Sequence, residues 1–189
     1  GEREFLCRSI PEWWFDAPDF AQKYFNQVGN LYFCPEWIRE DLDWVKSYIN
    51  RDSGNIRYIG ERLRSNRLLA RWGFFLNPKE AAQHFDEAFL KEEEFFEIAL
   101  YKHPREVLSY FDERFRHSRA HVKRAVMACP SNLQYADFRF RDDYYLVKTA
   151  VKIEGSAIQY ASHRLQQEKS IALAAVSNNG DMYPLLSDE

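Results

Sequence analysis

The chain has 189 residues, of which 46% are hydrophobic and 16% are aromatic, and its formal net charge is −3 at pH 7. This mildly acidic balance argues against a general nucleic-acid-binding protein, which needs a basic domain. No stretch approaches the ~18 consecutive apolar residues of a membrane-spanning helix, and no apolar segment near the N-terminus predicts a signal peptide.

The first 30 residues carry an aromatic cluster around Pro11 and Pro18, and they do not share the periodicity of the residues that follow. The cluster consists of Trp13, Trp14, Phe15, Phe20, Tyr24 and Phe25. Terminal units of repeat proteins are typically irregular because they must close the end of the core. We therefore interpret residues 1–30 as an N-terminal cap.

From about residue 31 onward, one pattern recurs every 25 or 26 residues. Its first column consists of Tyr32, Tyr58, His84, Tyr110, Tyr135 and Tyr160. Five positions after each member stands an apolar residue, namely Trp37, Leu63, Phe89, Phe115, Phe140 and Leu165. A fixed period in this range is typical of stacked helical repeats, which bind along extended surfaces more often than they catalyse.

Each repeat contains the signals of two short helices. An apolar triplet spaced i, i+3, i+4 precedes the tyrosine column: Val45/Tyr48/Ile49, Ala70/Gly73/Phe74, Phe96/Ala99/Leu100, Val122/Ala125/Val126 and Val147/Ala150/Val151. Ile158, Ala161 and Leu165 form a second stripe at i, i+3, i+7. Turn-forming residues separate the two stripes: Ser53-Gly54, Pro78, Pro104, Pro130 and Gly155. The pattern predicts a helix of about ten residues, a turn and a helix of about eight, neither of which is stable alone.

These elements predict an all-α fold, an α-solenoid of about six short helix-turn-helix repeats in a single domain. The repeats occupy residues 31–180, and a tail follows at 181–189, where Pro184 interrupts the last second helix. In this arrangement Val126 and Val151 hold matching positions in adjacent repeats, so both should be fully buried.

One string of residues resembles a known family. Val147, Ala150, Val151 and Gly155 are followed by the run from Ile158 to Leu165, which contains Gln-Tyr-Ala-Ser. The string resembles the repeat of domain-of-unknown-function family 4116, well over residues 120–180 and partially over 40–117. The resemblance implies a helical repeat module without an established activity. It also favours a bacterial origin and a host-contact or toxin-related role.

Basic and polar residues recur in register with the repeats, and they are the candidate partner-binding residues. One set follows the tyrosine column: Arg62, Arg64, Arg114, Arg116, Arg139, Arg141 and Arg164. A second set directly precedes it: Arg57, Gln83, Ser109, Gln134 and Gln159. Aligned arginines could hold an acidic protein face or a phosphodiester backbone.

We favour a structural interpretation of the same arginines over a binding role. Acids recur beside them at Glu61, Asp86, Glu87, Asp112, Glu113 and Asp137. On this interpretation Arg114, Arg139 and Arg164 each lie close to a carboxylate such as that of Asp112, Asp137 or Asp143. The tyrosine column is ambiguous in the same way, and we expect it to pack in the core with its hydroxyls at the edge.

No catalytic signature is present, because the sequence lacks a glycine-rich phosphate loop, GxSxG, HExxH and a Cys/His nucleophile pair. His117 and His121 are spaced i, i+4, but a turn between them is expected and no third metal ligand stands at suitable spacing, so exposed side chains are predicted. Cys7, Cys34 and Cys129 form no CxxC pair, which fits reduced thiols and a cytoplasmic location.

The sequence therefore predicts a non-catalytic protein-binding module, a scaffold or an effector, that uses no cofactor or metal and whose partner is another protein. The alternative is a small immunity or antitoxin-type protein that neutralises a toxin or nuclease. A nucleic-acid-binding solenoid is supported only by the arginine column.

Overall fold

The computed structural model describes residues 27–178, and the chain divides into two compact units, residues 1–89 and 90–189. Within the described residues every regular element is helical, so the predicted all-α fold is confirmed. The aromatic cluster of the N-terminal cap and the tail at 181–189 lie outside the described residues. A single continuous solenoid remains a prediction.

Six α-helices of ten residues each set the period of the fold. These long helices are Leu42–Arg51, Arg67–Leu76, Glu93–Lys102, Arg119–Ala128, Tyr144–Ile153 and Lys169–Asn178. Their first residues are 25 or 26 positions apart, which matches the period read from the sequence. Each predicted long helix is confirmed. The helices form at these places because each apolar triplet supplies one buried stripe.

The remainder of each repeat holds two short segments, so the prediction of one eight-residue second helix is wrong. The middle segments are Ser53–Tyr58, Pro78–His84, Val107–Tyr110, Pro130–Tyr135 and Gly155–Tyr160. The short helices that follow are Glu61–Leu63, Glu87–Lys91, Glu113–His117, Phe138–Arg141 and His163–Gln166. Leu31–Phe33 and Glu36–Arg39 hold the same two places before the first long helix.

The break between the two segments is made by capping residues. Ala136 and Asp137 are extended, with ψ of 151° and 146°, and the Asp137 side chain accepts a hydrogen bond from the Arg139 amide at 2.9 Å. Ser162 starts the next short helix in the same way and accepts from the Leu165 amide at 3.3 Å. A side chain that satisfies a free helical N–H favours a new helix start over continuation of the old one.

The same capping residues join consecutive repeats through the backbone. The Asp137 amide donates to the Arg116 carbonyl at 3.2 Å, and the Ser162 amide donates to the Arg141 carbonyl at 2.8 Å. Equivalent bonds are Gly60 to Arg39, Asp86 to Arg64 and Asp112 to Leu90. The acids at these positions therefore act as helix caps, a role that the sequence interpretation as ion-pair partners did not include.

The apolar triplets of the long helices are buried in the core of each unit. Val126 and Val151 are fully buried, as predicted. The second stripe is also buried, because Ile158, Ala161 and Leu165 are at most 8% exposed despite the break in the helix.

Two features of the packing depart from the simple core that the columns suggested. Gly73 takes the central place of one triplet, and a Cβ there would lie 2.4 Å from the Phe85 ring, which explains the absence of a side chain. The tyrosine column is half-buried at Tyr58, Tyr110, Tyr135 and Tyr160, which agrees with rings in the core and hydroxyls at its edge, whereas Tyr32 is 43% exposed and departs from this packing.

Candidate binding surface

The arginines four places after the tyrosine column all lie exposed on the short helices. Arg139 pairs with Asp137 at 3.0 Å, and Arg164 pairs with Asp142 at 3.1 Å. Structural pairing is thus confirmed for these two, although Arg164 uses Asp142 and not Asp143. The prediction is wrong for Arg114, which makes no ion pair with any described residue.

The Arg114 guanidinium takes a different direction from that of Arg139, although the aspartate two residues before each accepts the same backbone hydrogen bond. Asp112 accepts from the backbone amide of Arg114 at 3.0 Å, while the Arg114 guanidinium lies over the Phe115 ring, 4.9 Å from its centroid. Asp143 is engaged by Arg119 and caps the next long helix by accepting from the Leu146 amide at 2.9 Å. The charge of Arg114 is therefore left without a nearby counterion on the described surface.

The carboxylates that do pair are held in their charged form. A side-chain hydrogen bond from Arg139 lowers the pKa of Asp137, and the backbone amide of Arg139 adds to this effect. Hydrogen bonds from Ser162 and then from Arg164 lower the pKa of Asp142. Both aspartates are therefore charged at neutral pH, and solvent around the exposed arginines screens the two ion pairs.

Arg116 and Arg141 occupy equivalent places, two residues further along consecutive short helices. Each is half-buried, and its Nε atom is buried without a hydrogen-bond partner. Gln166 stands at this place in the next repeat, where its amide donates to the carbonyls of Gln159 and Ala161 at 3.1 and 3.0 Å. The two arginines thus lie against the protein but meet no described carboxylate.

Arg62 belongs to the other compact unit and lies in a different environment. It lines an open groove of ≈ 620 Å³ together with Glu36, Trp37, Glu40 and Glu61. Its backbone amide donates to the Glu40 carboxylate at 3.3 Å. The surrounding acids reduce the positive potential at this end of the arginine column.

The polar residues before the tyrosine column do not form a uniform strip. Arg57 is exposed but makes a two-point contact with Glu80 of the next repeat, with Nη2–Oε1 at 2.7 Å and Nε–Oε2 at 3.2 Å. Gln83 and Gln159 are exposed, whereas Gln134 is half-buried. Arg57 thus links two repeats, and the glutamines remain available for contact.

Two buried asparagines were missed by the sequence analysis. Asn132 accepts from the Leu108 amide at 3.3 Å and donates to the carbonyls of Pro104, Ala125 and Cys129. Asn55 does the same in the other unit, where it accepts from the Leu31 amide at 2.7 Å. Both asparagines therefore tie a middle segment to the preceding repeat. The sequence does contain a signal for them: both asparagines occupy a repeat position at which the other repeats have an apolar residue, namely Ala81, Val107 and Ala157.

The two spaced histidines bind separate carboxylates and not a shared ligand. His117 ends a short helix and lies 2.9 Å from Asp137, whereas His121 belongs to the following long helix and lies 2.7 Å from Glu93. His117 is exposed as expected, but His121 is half-buried. Over residues 27–178 no group of three His, Cys, Asp or Glu side chains is arranged to hold a metal ion.

Residues 143–189 match a family described as a domain of unknown function, DUF4116. The match covers the last part of the chain, where the repeat string was recognised in the sequence. No curated protein and no solved structure matches significantly. None of the helices in the described part of the chain is long and apolar enough to cross a membrane.

Proposed function

We propose that this protein is a non-catalytic helical-repeat module that binds an acidic surface of another protein through arginines on consecutive short helices. The proposal includes a solenoid, in which equivalent residues recur in register and one partner contacts several repeats. It also includes a bacterial, cytoplasmic scaffold or effector, in line with the family resemblance.

The observation that carries the proposal is the set of unpaired arginines in residues 90–178. Arg114, Arg116 and Arg141 meet no described carboxylate, although acids elsewhere on the same segments are paired. A guanidinium presents a planar fork that matches a carboxylate in two-point geometry, and arginine is a frequent interface anchor. Side chains held against the protein surface also lose less entropy on binding.

A protein partner fits this surface better than a nucleic acid. Asp137, Asp142 and Asp143 lie among the arginines, and the lowered pKa values of Asp137 and Asp142 keep these carboxylates charged. Such interspersed acids repel a continuous phosphate backbone, whereas a protein surface can place its own charges between them.

The test compares capture of a partner by the immobilised protein and by the variant Arg114→Ala/Arg116→Ala/Arg141→Ala. Loss of three unpaired anchors should weaken binding by at least about tenfold, and single alanines away from arginine and aromatic anchors should cost below ~2 kcal/mol. The affinity of each variant is measured by calorimetry with the partner identified in the capture.

The matched control is Arg124→Ala/Arg139→Ala/Arg164→Ala, which removes the same charge from arginines that already have ion pairs. It should retain most of the affinity. Equal losses in the two triple variants would show a general charge effect and contradict the proposal. If only alanine variants of Trp13 and Trp14 lost partner binding, the repeats would support the binding site without contacting the partner.

A further inference from the structure

The groove between the long helices Glu93–Lys102 and Arg119–Ala128 is neutralised by its own side chains. Arg124 pairs with Glu97 across this groove and lies 3.8 Å from Glu93. His121 also contacts Glu93, at 2.7 Å. One helix thus supplies the acids and the next supplies the bases, so the charges of this groove neutralise each other.

The following groove, between Arg119–Ala128 and Tyr144–Ile153, keeps only one such pair, between Arg119 and the helix cap Asp143. Arg119 and Lys123 occupy the helix positions that Glu93 and Glu97 occupy in the preceding groove. Thr149 occupies the position that Arg124 occupies there. Cations now line one side and a neutral side chain faces them. A cavity of ≈ 160 Å³ is left there, lined by Arg119, Lys123, Tyr145, Leu146 and Thr149.

Lys123 is the charge of this groove that is available to a ligand, and Arg119 adds to it from an exposed ion pair. Lys123 is exposed and makes no ion pair with a described residue, while Arg119 is 63% exposed and shares Asp143 with a helix cap. The long helices Arg119–Ala128, Tyr144–Ile153 and Lys169–Asn178 together contain six Lys or Arg residues and no Asp or Glu. These three helices therefore carry only basic charges, although the whole chain is acidic and acids stand at the helix ends.

An exposed aromatic side chain stands at the edge of the same cavity. Tyr145 is 77% exposed, and its ring lies edge-to-face against the ring of Tyr144, with centroids 5.4 Å apart. Tyrosine beside a basic pocket is a typical anchor of a protein interface, because it offers a rigid apolar surface with a polar end.

We infer that this groove receives an aspartate or glutamate side chain from an acidic segment of a partner protein. The incoming carboxylate supplies the negative charge that Glu97 supplies in the preceding groove, Arg119 and Lys123 neutralise it, and Tyr145 packs against the neighbouring residue of the segment. The inference rests on the proposed function for the partner being a protein, but it uses long-helix residues and none of the arginines of the short helices.

The test uses an N-acetylated hexaglutamate peptide as the probe and hexaglutamine as the uncharged control, with amide chemical shifts of the ¹⁵N-labelled chain recorded at ~50 mM salt. Shifts should concentrate at Arg119, Lys123, Tyr145 and Thr149 with hexaglutamate only. The variant Lys123→Glu/Thr149→Arg restores the acid-to-arginine pairing of the preceding groove, so it should fold and bind hexaglutamate about tenfold more weakly.

Lys152→Ala is the matched control, because it removes the same net charge from an exposed, unpaired position on the neighbouring helix. It should bind within about twofold of the wild type. Equal weakening in both variants, or shifts spread over all basic segments, would overturn the inference.

Two further outcomes separate this site from other possibilities. Tighter binding of an oligothymidylate of equal charge in the same groove would replace the acidic peptide by a nucleic acid and overturn the inference. The variant Arg114→Ala/Arg116→Ala/Arg141→Ala should still bind the peptide in the groove. If this variant still binds the peptide in the groove and also still captures the partner, the proposed function is contradicted and the inference about the groove is upheld.

Discussion

Replacing Val151 with aspartate should destabilise the protein by about 3–5 kcal/mol, because the carboxylate would enter a core position without a partner. Val151 is fully buried in the Tyr144–Ile153 helix, and Val126 is equally buried at the matching position of the preceding repeat. The introduced charge must therefore either lose its solvation or separate the repeats. Urea denaturation followed by far-UV circular dichroism measures the loss in free energy of unfolding.

Thr149→Asp is the matched control on the same helix. Thr149 is exposed, and the substitution introduces the same charge at a surface position. It should change the free energy of unfolding by no more than about 0.5 kcal/mol. Similar unfolding curves for wild type and the Val151 variant would refute the assignment of this triplet as the repeat core.

The long helices were predictable because their signal is local and repeated. A triplet such as Val147, Ala150 and Val151 defines one buried stripe, and its recurrence every 25 or 26 residues fixes the place of each helix. The second helix was not predictable in the same way. Ile158, Ala161 and Leu165 fit a helical stripe and are buried, yet Ala161 and Ser162 are extended. Burial at helical spacing therefore did not require a continuous helix.

The capping role of Asp137 and Ser162 is the physical reason for that difference. Each side chain satisfies an amide at the start of a short helix, and each backbone amide bonds to the previous repeat. These bonds compete with continuation of the middle segment. The sequence shows the acids of this column but not which hydrogen bonds they make, because the bond to the preceding repeat depends on stacking.

The candidate surface was predictable in composition but not in pairing. The arginine column is present as expected, yet Arg139 is paired and Arg114 is not, although an aspartate stands two residues before each. Both guanidinium groups lie over the following phenylalanine ring, but that of Arg139 also reaches Asp137, whereas that of Arg114 lies closer to its ring, 4.9 Å against 5.9 Å from the centroid. Such rotamer differences arise between positions with the same neighbours in sequence, and a sequence column does not record them.

Replacing Asn132 with aspartate should destabilise the protein by about 3 kcal/mol at neutral pH, although the two side chains have nearly the same shape. The Asn132 amide nitrogen donates to the carbonyls of Pro104, Ala125 and Cys129, at 2.6, 3.2 and 3.1 Å. A carboxylate oxygen cannot donate and would face these three carbonyl oxygens in a fully buried place. Chemical denaturation of the variant and the wild type at pH 7 measures the difference.

The pH dependence of this destabilisation distinguishes a buried charge from a simple loss of packing. Burial and the facing carbonyls raise the pKa of the introduced carboxyl above its unfolded value of about 3.9. The folded variant then binds more protons than the unfolded chain above about pH 4, so its stability relative to wild type falls as pH rises from there. The deficit should be smallest below about pH 4, where the protonated carboxyl can donate one hydrogen bond.

Asn66→Asp is the control for the chemical change itself. Asn66 caps the Arg67–Leu76 helix and uses its side-chain oxygen to accept from the Leu69 amide at 2.9 Å. A carboxylate can make this bond, and its charge interacts favourably with the helix N-terminus, so the stability should stay within about 0.5 kcal/mol of wild type or increase. A pH-independent deficit in the Asn132 variant, or an equal deficit in both variants, would show that the three carbonyl bonds do not hold the middle segment to the preceding repeat.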